Sequence, residues 1–581
     1  MPPPGACYNR RMVKQPQGAG DNGAVAARRW QPWLLIILAS AVAHLWCLGS
    51  QFYMDDLAGI RDSEVVRVGN FWCNWPQAWT SLWYVMQYRC CGMSPVAFHA
   101  VNWLLHTAVA CVLFGFGREF LRDRAPTGVA LFGAVLFAVH PLASEIPNYA
   151  RTQDIAWVTL FSLLACWALL RFLRDGSRLF MLGSLLAIGG ATLSKGPGLF
   201  HALMMTGAVG LAFMTPAHWQ GVRRRGWWLA TAFLLAVSAL WITGIIPKLL
   251  NATRLWAEPR WIGHAYTLAR VFWEFAWRSV LPLGLCSDHH IAETLVPAGA
   301  GWLSIPDHGA LVAAAAMLVL TIISLWLAWR PATRLIGICL FLFIATILFR
   351  VAYLIPEFMP EYRIYPGLPW FCLGAASVLG MAWRRWAGGI SPRAPVVLLV
   401  LLLAGMSARR SFLWHDLDRL TADILAQYPA QARAVWELHD RDIAVGKWQQ
   451  VIDRQRTLWP QIFSRFMAAN RRLAPQRELP TGHFALAEVA CAGDYALALA
   501  HVAGPAAGLA EIRRLETYMH NLHLDPLAHK VHWDYFFTAK LLVLEQAGNY
   551  QAACDLMQRE GLARFQPADI RRLSGKLKQG W

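Results

Sequence analysis

The chain has 581 residues, of which 56% are hydrophobic and only 15% are charged. Soluble globular proteins carry about 25% charged residues, and several apolar runs here approach the roughly 20 residues that cross a bilayer. These values exclude a soluble globular fold and predict a polytopic membrane protein. The formal net charge of +18 lies mainly in loops that flank the apolar runs. Short cytoplasmic loops of membrane proteins collect Lys and Arg, which also lie close to anionic lipid headgroups. We therefore expect membrane lipids as partners and do not expect nucleic acid.

Hydropathy along the chain predicts an all-α fold with about eleven transmembrane helices. Residues 1–30 are rich in Gly, Pro and Arg, which predicts a disordered cytoplasmic tail, and the transmembrane domain is predicted to occupy 31–411. The Trp-rich segment 265–285 carries three charged residues and is predicted to be an interfacial or re-entrant helix. The predicted spans lie at about 33–50, 97–117, 127–143, 155–172, 179–195, 199–215, 227–247, 309–329, 334–352, 367–384 and 395–409.

The distribution of Lys and Arg predicts the orientation of the chain. Basic residues are concentrated in the short connecting loops of one side, which the positive-inside rule assigns to the cytoplasm. The N-terminus belongs to that side, and an odd number of spans puts the C-terminal part outside. We therefore expect an integral membrane protein whose long loops and C-terminal domain face the periplasm or an equivalent lumen. The Ala-, Arg- and Trp-rich composition favours a bacterial inner membrane.

The composition changes after about residue 412. Long apolar runs end, and residues 412–581 show helical periodicity with charged faces. Small residues at helical spacing and a Gly548-Asn549 turn are similar to tetratricopeptide-type helix pairs, which predicts a soluble helical-repeat domain. The alternative is a simple helical bundle that caps the membrane domain.

Anionic and cationic side chains cluster in the loops that this orientation assigns to the outer surface. The first outward loop, SQFYMDDLAGIRDSEVV, contains the adjacent aspartates Asp55 and Asp56. The later segments HPLASEIPNYARTQDIAW, LSKGPG, LPLGLCSDHH and EYRIYPGLPW add residues of both signs. The further candidate site residues are His140, Glu145, Arg151, Asp154, Lys195, Asp288, His289, Glu361, Arg363 and Tyr365.

This mixture of charges suits a reaction on a lipid-linked phosphate. Arg151, Lys195 and Arg363 would hold an anionic leaving group, and Asp55 or Asp56 would take the proton from an acceptor hydroxyl. A lipid donor explains a site at the bilayer surface and the absence of a Gly-rich nucleotide-binding loop. A divalent metal is compatible with this chemistry but not obligatory, and the Asp-His-His sequence at 288–290 is a weak metal motif.

Several of these residues also have a structural interpretation. Asp55 and Asp56 could cap a helix or form a solvated pair. Lys195 could be a snorkelling residue at the end of a span. Glu361 and Arg363 could form a structural ion pair. The functional interpretation therefore depends on whether these side chains meet in the folded protein.

The order of the motifs resembles a known family. After the Asp55-Asp56 pair come FHAVNWLLHTAVACVLF, LFGAVLFAVHPLASEIPNYARTQDIAW, LSKGPG, LPLGLCSDH and EYRIYPGLPWF. This ordered set, over about residues 33–450, resembles the TMTC-type membrane O-mannosyltransferases and their bacterial relatives. The resemblance implies a C-type glycosyltransferase with outward tetratricopeptide repeats. It also implies a polyprenyl-phosphate-linked monosaccharide as donor and an inverting transfer to a hydroxyl of an extracytoplasmic protein.

The resemblance also implies roles for individual residues. Asp55 or Asp56 matches the first-loop catalytic aspartate of the family, with Asp55 favoured, and Lys195 matches the SK signature. Ala150 stands where the second-loop pattern HP…E…GR.D has Gly, and Tyr362 replaces the His of the pattern EHR.YLP. Residues matching these two patterns are His140, Glu145, Arg151, Asp154, Glu361, Arg363 and Tyr365.

Three other functions fit parts of the sequence. The same enzyme could act on a glycolipid or polysaccharide, although a helical domain suited to peptides favours a protein acceptor. A flippase or transporter of lipid-linked sugars would carry ionisable groups near the bilayer midplane and an inverted repeat, whereas the charges here lie at span ends. An assembly protein that binds partners through its repeats would need fewer spans.

Overall fold

A computed structural model describes residues 22–214, 259–291, 294, 307–352, 359–386, 391–460, 483–521 and 530–560, apart from residues 76, 123, 290, 430 and 459. All regular secondary structure in this part of the chain is helical, which confirms the all-α prediction there. The predicted span 227–247, the tail up to residue 21 and the second histidine of the 288–290 motif lie outside the described residues.

The helices follow one another with short connections. In the membrane part they are α1 (Asn22–His44), α2 (Glu64–Val68), α3 (Ala78–Cys91), α4 (Pro95–Phe120), α5 (Thr127–Ala138), α6 (Glu145–Asn148), α7 (Gln153–Asp175), α8 (Arg178–Ser194), α9 (Gly198–Phe213), α10 (Pro259–Val280), α11 (His308–Trp329), α12 (Arg334–Leu348), α13 (Leu368–Trp386) and α14 (Arg393–Leu413). The C-terminal part contains α15 (Leu417–Gln427), α16 (Ala432–Ala444), α17 (His483–Val502), α18 (Pro505–Asn521), α19 (Lys530–Gln546) and α20 (Tyr550–Glu560), and residues 448–458 are also helical.

Fewer helices than predicted have the length and apolarity of a membrane span. The described residues contain six such segments, or up to seven if a bent pair counts as one span, against the predicted eleven. Helices α8 and α9 have only 17 and 16 residues, and the two arginines in the last turn of α13 lower its mean hydropathy. The six segments are Trp30–Gly49, Pro95–Phe120, Ala150–Asp175, His308–Trp329, Arg334–Val351 and Arg393–Leu413.

The bent pair breaks the predicted span 127–143 near its end. Helix α5 stops at Ala138, and the chain resumes over Pro141–Asn148 at an angle of 53°. Pro141 disfavours the helical conformation in the residue before it. His140 stabilises the break, because its Nδ1 accepts the Leu142 backbone N–H at 3.2 Å and its Nε2 lies 3.0 Å from the Ser279 carbonyl. The segment after the break, residues 144–154, is the one that the predicted orientation makes the second outward loop.

Aromatic packing within the bundle holds its helices together, and buried hydrogen bonds hold the loop at its end. Phe116 of α4 packs edge-on against Trp370 of α13, with ring centroids 5.4 Å apart. The Asn102 amide of α4 donates to the carbonyls of Ile146 and Tyr149 at 2.8 and 2.9 Å. Because the amide is fully buried, these bonds fix the second outward loop above α4.

The C-terminal helices pack around their own apolar core. Helix α17 packs against α18 and α19, and α19 packs against α20. Another apolar cluster, which includes Tyr53, Tyr149, Trp414, Leu420 and Ile424, joins α15 to the first two outward loops. The start of the C-terminal part therefore lies against the loops that carry the candidate residues. Its description as a soluble tetratricopeptide-like domain at 412–581 stays a prediction.

Candidate active site

The two adjacent aspartates of the first outward loop occupy different environments. Met54, directly before them, has a φ of +47°, a left-handed conformation that non-glycine residues rarely adopt. Such strain persists only where the surrounding structure enforces it, and Met54 is buried in the apolar cluster with Tyr53 and Trp414. After this turn, Asp56 is fully buried, whereas the Asp55 side chain is 55% exposed.

Asp56 ties the first outward loop to the second. Its carboxylate accepts the backbone N–H of Tyr53 at 3.1 Å and that of Arg151 at 2.6 Å. Burial raises the pKa of Asp56 to about 8, although these hydrogen bonds oppose the rise. Both oxygens are occupied and inaccessible, so an acceptor hydroxyl cannot come within proton-transfer distance of this group. Its geometry is that of a structural clamp.

Asp55 is accessible and is held by residues from two other elements. Its Oδ1 lies 3.1 Å from the Arg433 guanidinium of α16, and its backbone N–H donates to the Tyr149 hydroxyl at 3.2 Å. Arg433 therefore brings the C-terminal part of the chain directly to this carboxylate. Of the two aspartates, Asp55 has the geometry of a general base, because a substrate can reach it.

Two cations meet at one tyrosine ring. The Nζ of Lys195 and the Cζ of Arg363 each lie 5.7 Å from the ring centroid of Tyr362. The Tyr362 ring in turn lies 6.3 Å from the Tyr149 ring, whose hydroxyl is bonded to the Asp55 backbone. A carboxylate and two cations from three separate segments thus lie around one pair of aromatic side chains.

Asp154 compensates part of the charge on Lys195. Its Oδ2 lies 2.8 Å from the Lys195 Nζ, and the carboxylate is almost completely buried. The second oxygen, Oδ1, is buried and has no hydrogen-bond partner among the described residues. Asp154 thereby positions the lysine, whose side chain remains 25% exposed.

Arg151 lies against the first outward loop. Besides the bond from its backbone N–H to Asp56, its guanidinium donates to the Gln77 side-chain oxygen at 3.1 Å and lies 5.9 Å from the Tyr84 ring centroid. The side chain also closely approaches Gly59, where an added Cβ would come within 2.8 Å of the Arg151 Nε. The small residue at 59 therefore gives the guanidinium room beside the first outward loop.

Glu361 is the centre of a buried polar network. Its Oε1 accepts the Cys286 backbone N–H at 2.8 Å and lies 2.9 Å from the His289 Nε2, and its Oε2 lies 2.6 Å from the Arg410 guanidinium. The other ring nitrogen of His289 lies 3.0 Å from the Tyr428 hydroxyl. Glu361 and His289 thus join the loop that follows α10, helix α14 and the end of α15. Their geometry favours a supporting role over substrate contact.

The remaining candidate residues are Glu145, Tyr365 and Asp288. Glu145 is buried and accepts the Tyr362 backbone N–H at 2.7 Å, which links the second outward loop to the loop of Arg363. The Tyr365 hydroxyl lies in the core, 2.9 Å from the His106 Nδ1. The Asp288 charge reaches Tyr53 and helps to raise the pKa of that phenol above its ordinary value, although burial is the main cause.

Three residues of this arrangement were not among the predicted site residues. Tyr149 and Tyr362 lie within the quoted motifs, yet no charge or metal-ligand pattern distinguishes a site tyrosine from an interfacial one. Arg433 lies 378 positions from Asp55 in a segment predicted to be a separate domain, so no local signal connects the two. Within the described ranges, no group of three or more His, Cys, Asp or Glu side chains could hold a metal ion.

Comparison with known proteins gives one informative match. No family model matches the chain. Among curated proteins, it is 25% identical over 437 residues to a protein O-mannosyl-transferase of Caenorhabditis elegans. The chain is therefore similar to a protein glycosyltransferase. The match covers 70% of this chain and 59% of the relative, so the chain spans about three-fifths of the curated protein that it matches.

Proposed function

We propose that the protein is a membrane-bound protein O-glycosyltransferase. It moves a monosaccharide from a polyprenyl-phosphate donor to a Ser or Thr hydroxyl of an extracytoplasmic protein. The observation that carries this proposal is the accessible residue Asp55, whose backbone N–H donates to the Tyr149 hydroxyl. The Tyr149 ring lies beside the Tyr362 ring, next to which the cations Lys195 and Arg363 lie. The similarity to a protein O-mannosyl-transferase supports the proposal.

Asp55 is the general base of the proposed reaction. It accepts the proton of the acceptor hydroxyl as the hydroxyl oxygen bonds to the anomeric carbon. The bond between that carbon and the phosphate oxygen breaks on the opposite face, and its electron pair leaves with the lipid phosphate. The configuration at the anomeric carbon is therefore inverted. General-base assistance of this kind is worth about 10²- to 10⁴-fold in rate.

Lys195 and Arg363 bind the phosphate of the donor and stabilise the charge that develops as it leaves. Arg363 offers a planar fork of donors, and Lys195 offers a compact charge positioned by Asp154. Arg151, whose backbone N–H donates to Asp56, is a further cation within the first two outward loops. Fixed cationic side chains supply electrostatic stabilisation without a metal, so the mechanism requires no obligatory cofactor.

The proposal places the site on the outer face of a bacterial inner membrane. The N-terminus lies in the cytoplasm, following the positive-inside distribution of Lys and Arg. The C-terminal helices lie in the periplasm, where the contact between Arg433 and Asp55 supports a role in presenting the acceptor protein. A polyprenyl-phosphate sugar reaches the site laterally from the bilayer.

A reconstituted transfer assay tests the proposed function. Purified protein in lipid vesicles is given a radiolabelled polyprenyl-phosphate monosaccharide and a Ser/Thr peptide, and peptide-bound sugar is measured for a panel of donors. Asp55→Asn is the test variant, and Asp62→Asn is the matched control because Asp62 is an exposed carboxylate of the same loop, paired with Arg61. Transfer by wild type and Asp62→Asn but not by Asp55→Asn supports the proposal. Full transfer by Asp55→Asn contradicts it. Label found only in glycolipid would show that the acceptor is a lipid and not a protein.

A further inference from the structure

The Tyr362 ring contacts two cations that come from distant parts of the chain. Lys195 directly follows α8, and Arg363 directly follows Tyr362. The Lys195 Nζ and the Arg363 Cζ each lie over the ring, 5.7 Å from its centroid. Both distances are within the roughly 6 Å at which the negative face of an aromatic ring attracts a cation. The ring therefore stabilises two of the positive charges of the candidate site.

Tyr362 is itself positioned by groups other than these cations. Its backbone N–H donates to the Oε2 of the buried Glu145 at 2.7 Å, which ties it to the second outward loop. Its ring packs against the apolar cluster that contains Trp414, and the ring centroid lies 6.3 Å from that of Tyr149. The ring thus provides a fixed surface for the two cations.

The Lys195 ammonium needs more than its ion pair to have a defined position. Its Nζ lies 2.8 Å from the Asp154 Oδ2. A lysine side chain has a flexible four-carbon stem, so one ion pair sets the distance of the ammonium from Asp154 but not its direction. The contact with the Tyr362 ring supplies a second constraint, and the same ring contacts Arg363.

Two cations that share a ring repel each other. The repulsion is strongest where water is largely excluded, and the Lys195 side chain is only 25% exposed. The negative face of the ring offsets part of this repulsion by attracting each cation. A phosphate bound by both cations would neutralise them further, because its oxygens carry charge of the opposite sign. The arrangement therefore suits one anion that is held by two cations.

We propose that Tyr362 is a positioning residue of the donor site, whose ring holds Lys195 and Arg363 where both bind the phosphate of one lipid donor. The inference rests on the proposed function and adds an uncharged residue that determines affinity for the donor phosphate. Tyr362 acts through the two cations, so its loss changes donor binding more than the chemical step. The required group is the aromatic ring and not the phenol hydroxyl.

Binding of a fluorescent polyprenyl phosphate tests this inference without sugar or acceptor. Full-length protein in detergent micelles is titrated with this lipid, which is the leaving group of the proposed reaction. Tyr362→Leu, which removes the ring, should bind it about tenfold more weakly than wild type. Tyr362→Phe, which returns the ring without the hydroxyl, should recover most of the affinity.

Phe180→Leu is the matched control. The Phe180 ring also has a cation over it, since its centroid lies 5.3 Å from the Arg171 Cζ. Phe180 belongs to the first turn of α8, at the opposite end of this helix from Lys195. The control variant should therefore bind the lipid as wild type does.

Two further measurements distinguish a contact with cations from simple packing. Phenylalanine analogues with increasing numbers of fluorine atoms, incorporated at position 362, keep the shape of the ring but weaken its negative face. Affinity should fall with each added fluorine. In a background of Lys195→Gln with Arg363→Gln, Tyr362→Leu should cause no further loss, because the ring then has no cation to position.

Three results would overturn the inference. They are undiminished lipid binding by Tyr362→Leu, equal affinity across the fluorinated series, and a further loss of about tenfold when Tyr362→Leu is added to the background without the two cations. The last result would show that the ring acts through the fold. Thermal unfolding of each variant identifies a loss of fold, and the fluorinated series provides the test if Tyr362→Leu does not fold.

Transfer assays separate this inference from the proposed function. Sugar transfer by wild type, with the same donor KM in Tyr362→Leu, overturns the inference and leaves the transferase proposal intact. Ring-dependent binding of the lipid phosphate in a protein that transfers no sugar supports the positioning role and contradicts the transferase.

Discussion

Asp55 and Asp56 have the same side chain and adjacent positions, yet the folded protein gives them different chemistry. The chain makes a left-handed turn at Met54, and Asp56 then accepts two backbone N–H groups in the interior. Asp55 remains accessible, whereas Asp56 is buried. The sequence predicts that this pair belongs to the site, because the two carboxylates directly follow a predicted span. It cannot predict which is the base, since that depends on tertiary partners from residues 149–151 and 433.

Substitution of the two aspartates should produce different defects. Asp55→Asn should lower the transfer rate by about 10²- to 10⁴-fold, because the proton acceptor is lost. It should change the thermal unfolding temperature little, because the ion pair that it removes, with Arg433, is partly exposed and contributes less than about 1 kcal/mol. Asp56→Asn should lower the unfolding temperature, because an amide NH₂ group cannot accept one of the two backbone N–H bonds. Transfer assays and thermal unfolding in micelles, run on both variants, measure the two effects. Equal defects in both assays would refute the division of roles.

Asp56 should also make stability depend on pH in a definite direction. Its pKa is raised from the ordinary 3.8 to about 8, so between these values the folded chain holds a proton that the unfolded chain has lost. Stability therefore falls as the pH rises through this window. The unfolding temperature of the wild type should fall more steeply between pH 5 and pH 8 than that of Asp56→Asn. The variant has no titratable group at position 56. Identical slopes for the two proteins would contradict the assignment. Glu437 shifts in the same direction in both proteins, so the comparison isolates Asp56.

At the scale of elements, hydropathy predicts which segments are apolar better than it predicts which cross a membrane. The long apolar helices α4, α7, α11 and α14 were all among the predicted spans. The predicted span 127–143 is divided by a bend at Pro141, and the predicted spans at 179–195 and 199–215 form the short helices α8 and α9. Hydropathy averages composition over a window, so it does not register a bend or the point where a helix ends.

Three elements near the site depend on one buried carboxylate. Glu361→Gln should destabilise the protein by about 3–5 kcal/mol, because Arg410, only 8% exposed, would keep its charge without an anionic partner. The control Glu511→Gln removes an ion pair with the mostly exposed Arg514 and should cost less than about 1 kcal/mol. Thermal unfolding of both variants in micelles provides the comparison. Similar unfolding temperatures for the two variants would show that the Glu361 network does not hold these elements.

At the scale of the whole molecule, the C-terminal helices and the membrane part share the site. The Asp55–Arg433 ion pair, the bond between His289 and Tyr428 and the apolar cluster around Trp414 all join the two regions. The change in composition near residue 412 predicts where one region ends. It carries no information about which surface of the second region contacts the first.

Arg433 should affect turnover rather than donor binding. Arg433→Gln removes the group that holds the Asp55 carboxylate at 3.1 Å, so kcat should fall by about tenfold or more while the KM for the lipid donor is unchanged. Arg433→Lys should restore part of the lost kcat, since lysine returns the positive charge but not the planar pair of guanidinium donors. Steady-state kinetics with the donor concentration varied will show whether kcat or the donor KM changes. A raised donor KM with normal kcat would place Arg433 in the donor site instead.

The central claim is that Asp55, Lys195 and Arg363 surround one donor-binding groove. A structure of the protein with a bound polyprenyl-phosphate sugar tests it most directly. We expect phosphate oxygens within about 3 Å of the Lys195 and Arg363 nitrogens, with the sugar between them and the Asp55 carboxylate. A phosphate bound away from both cations, or a sugar whose anomeric carbon faces away from Asp55, would contradict the account.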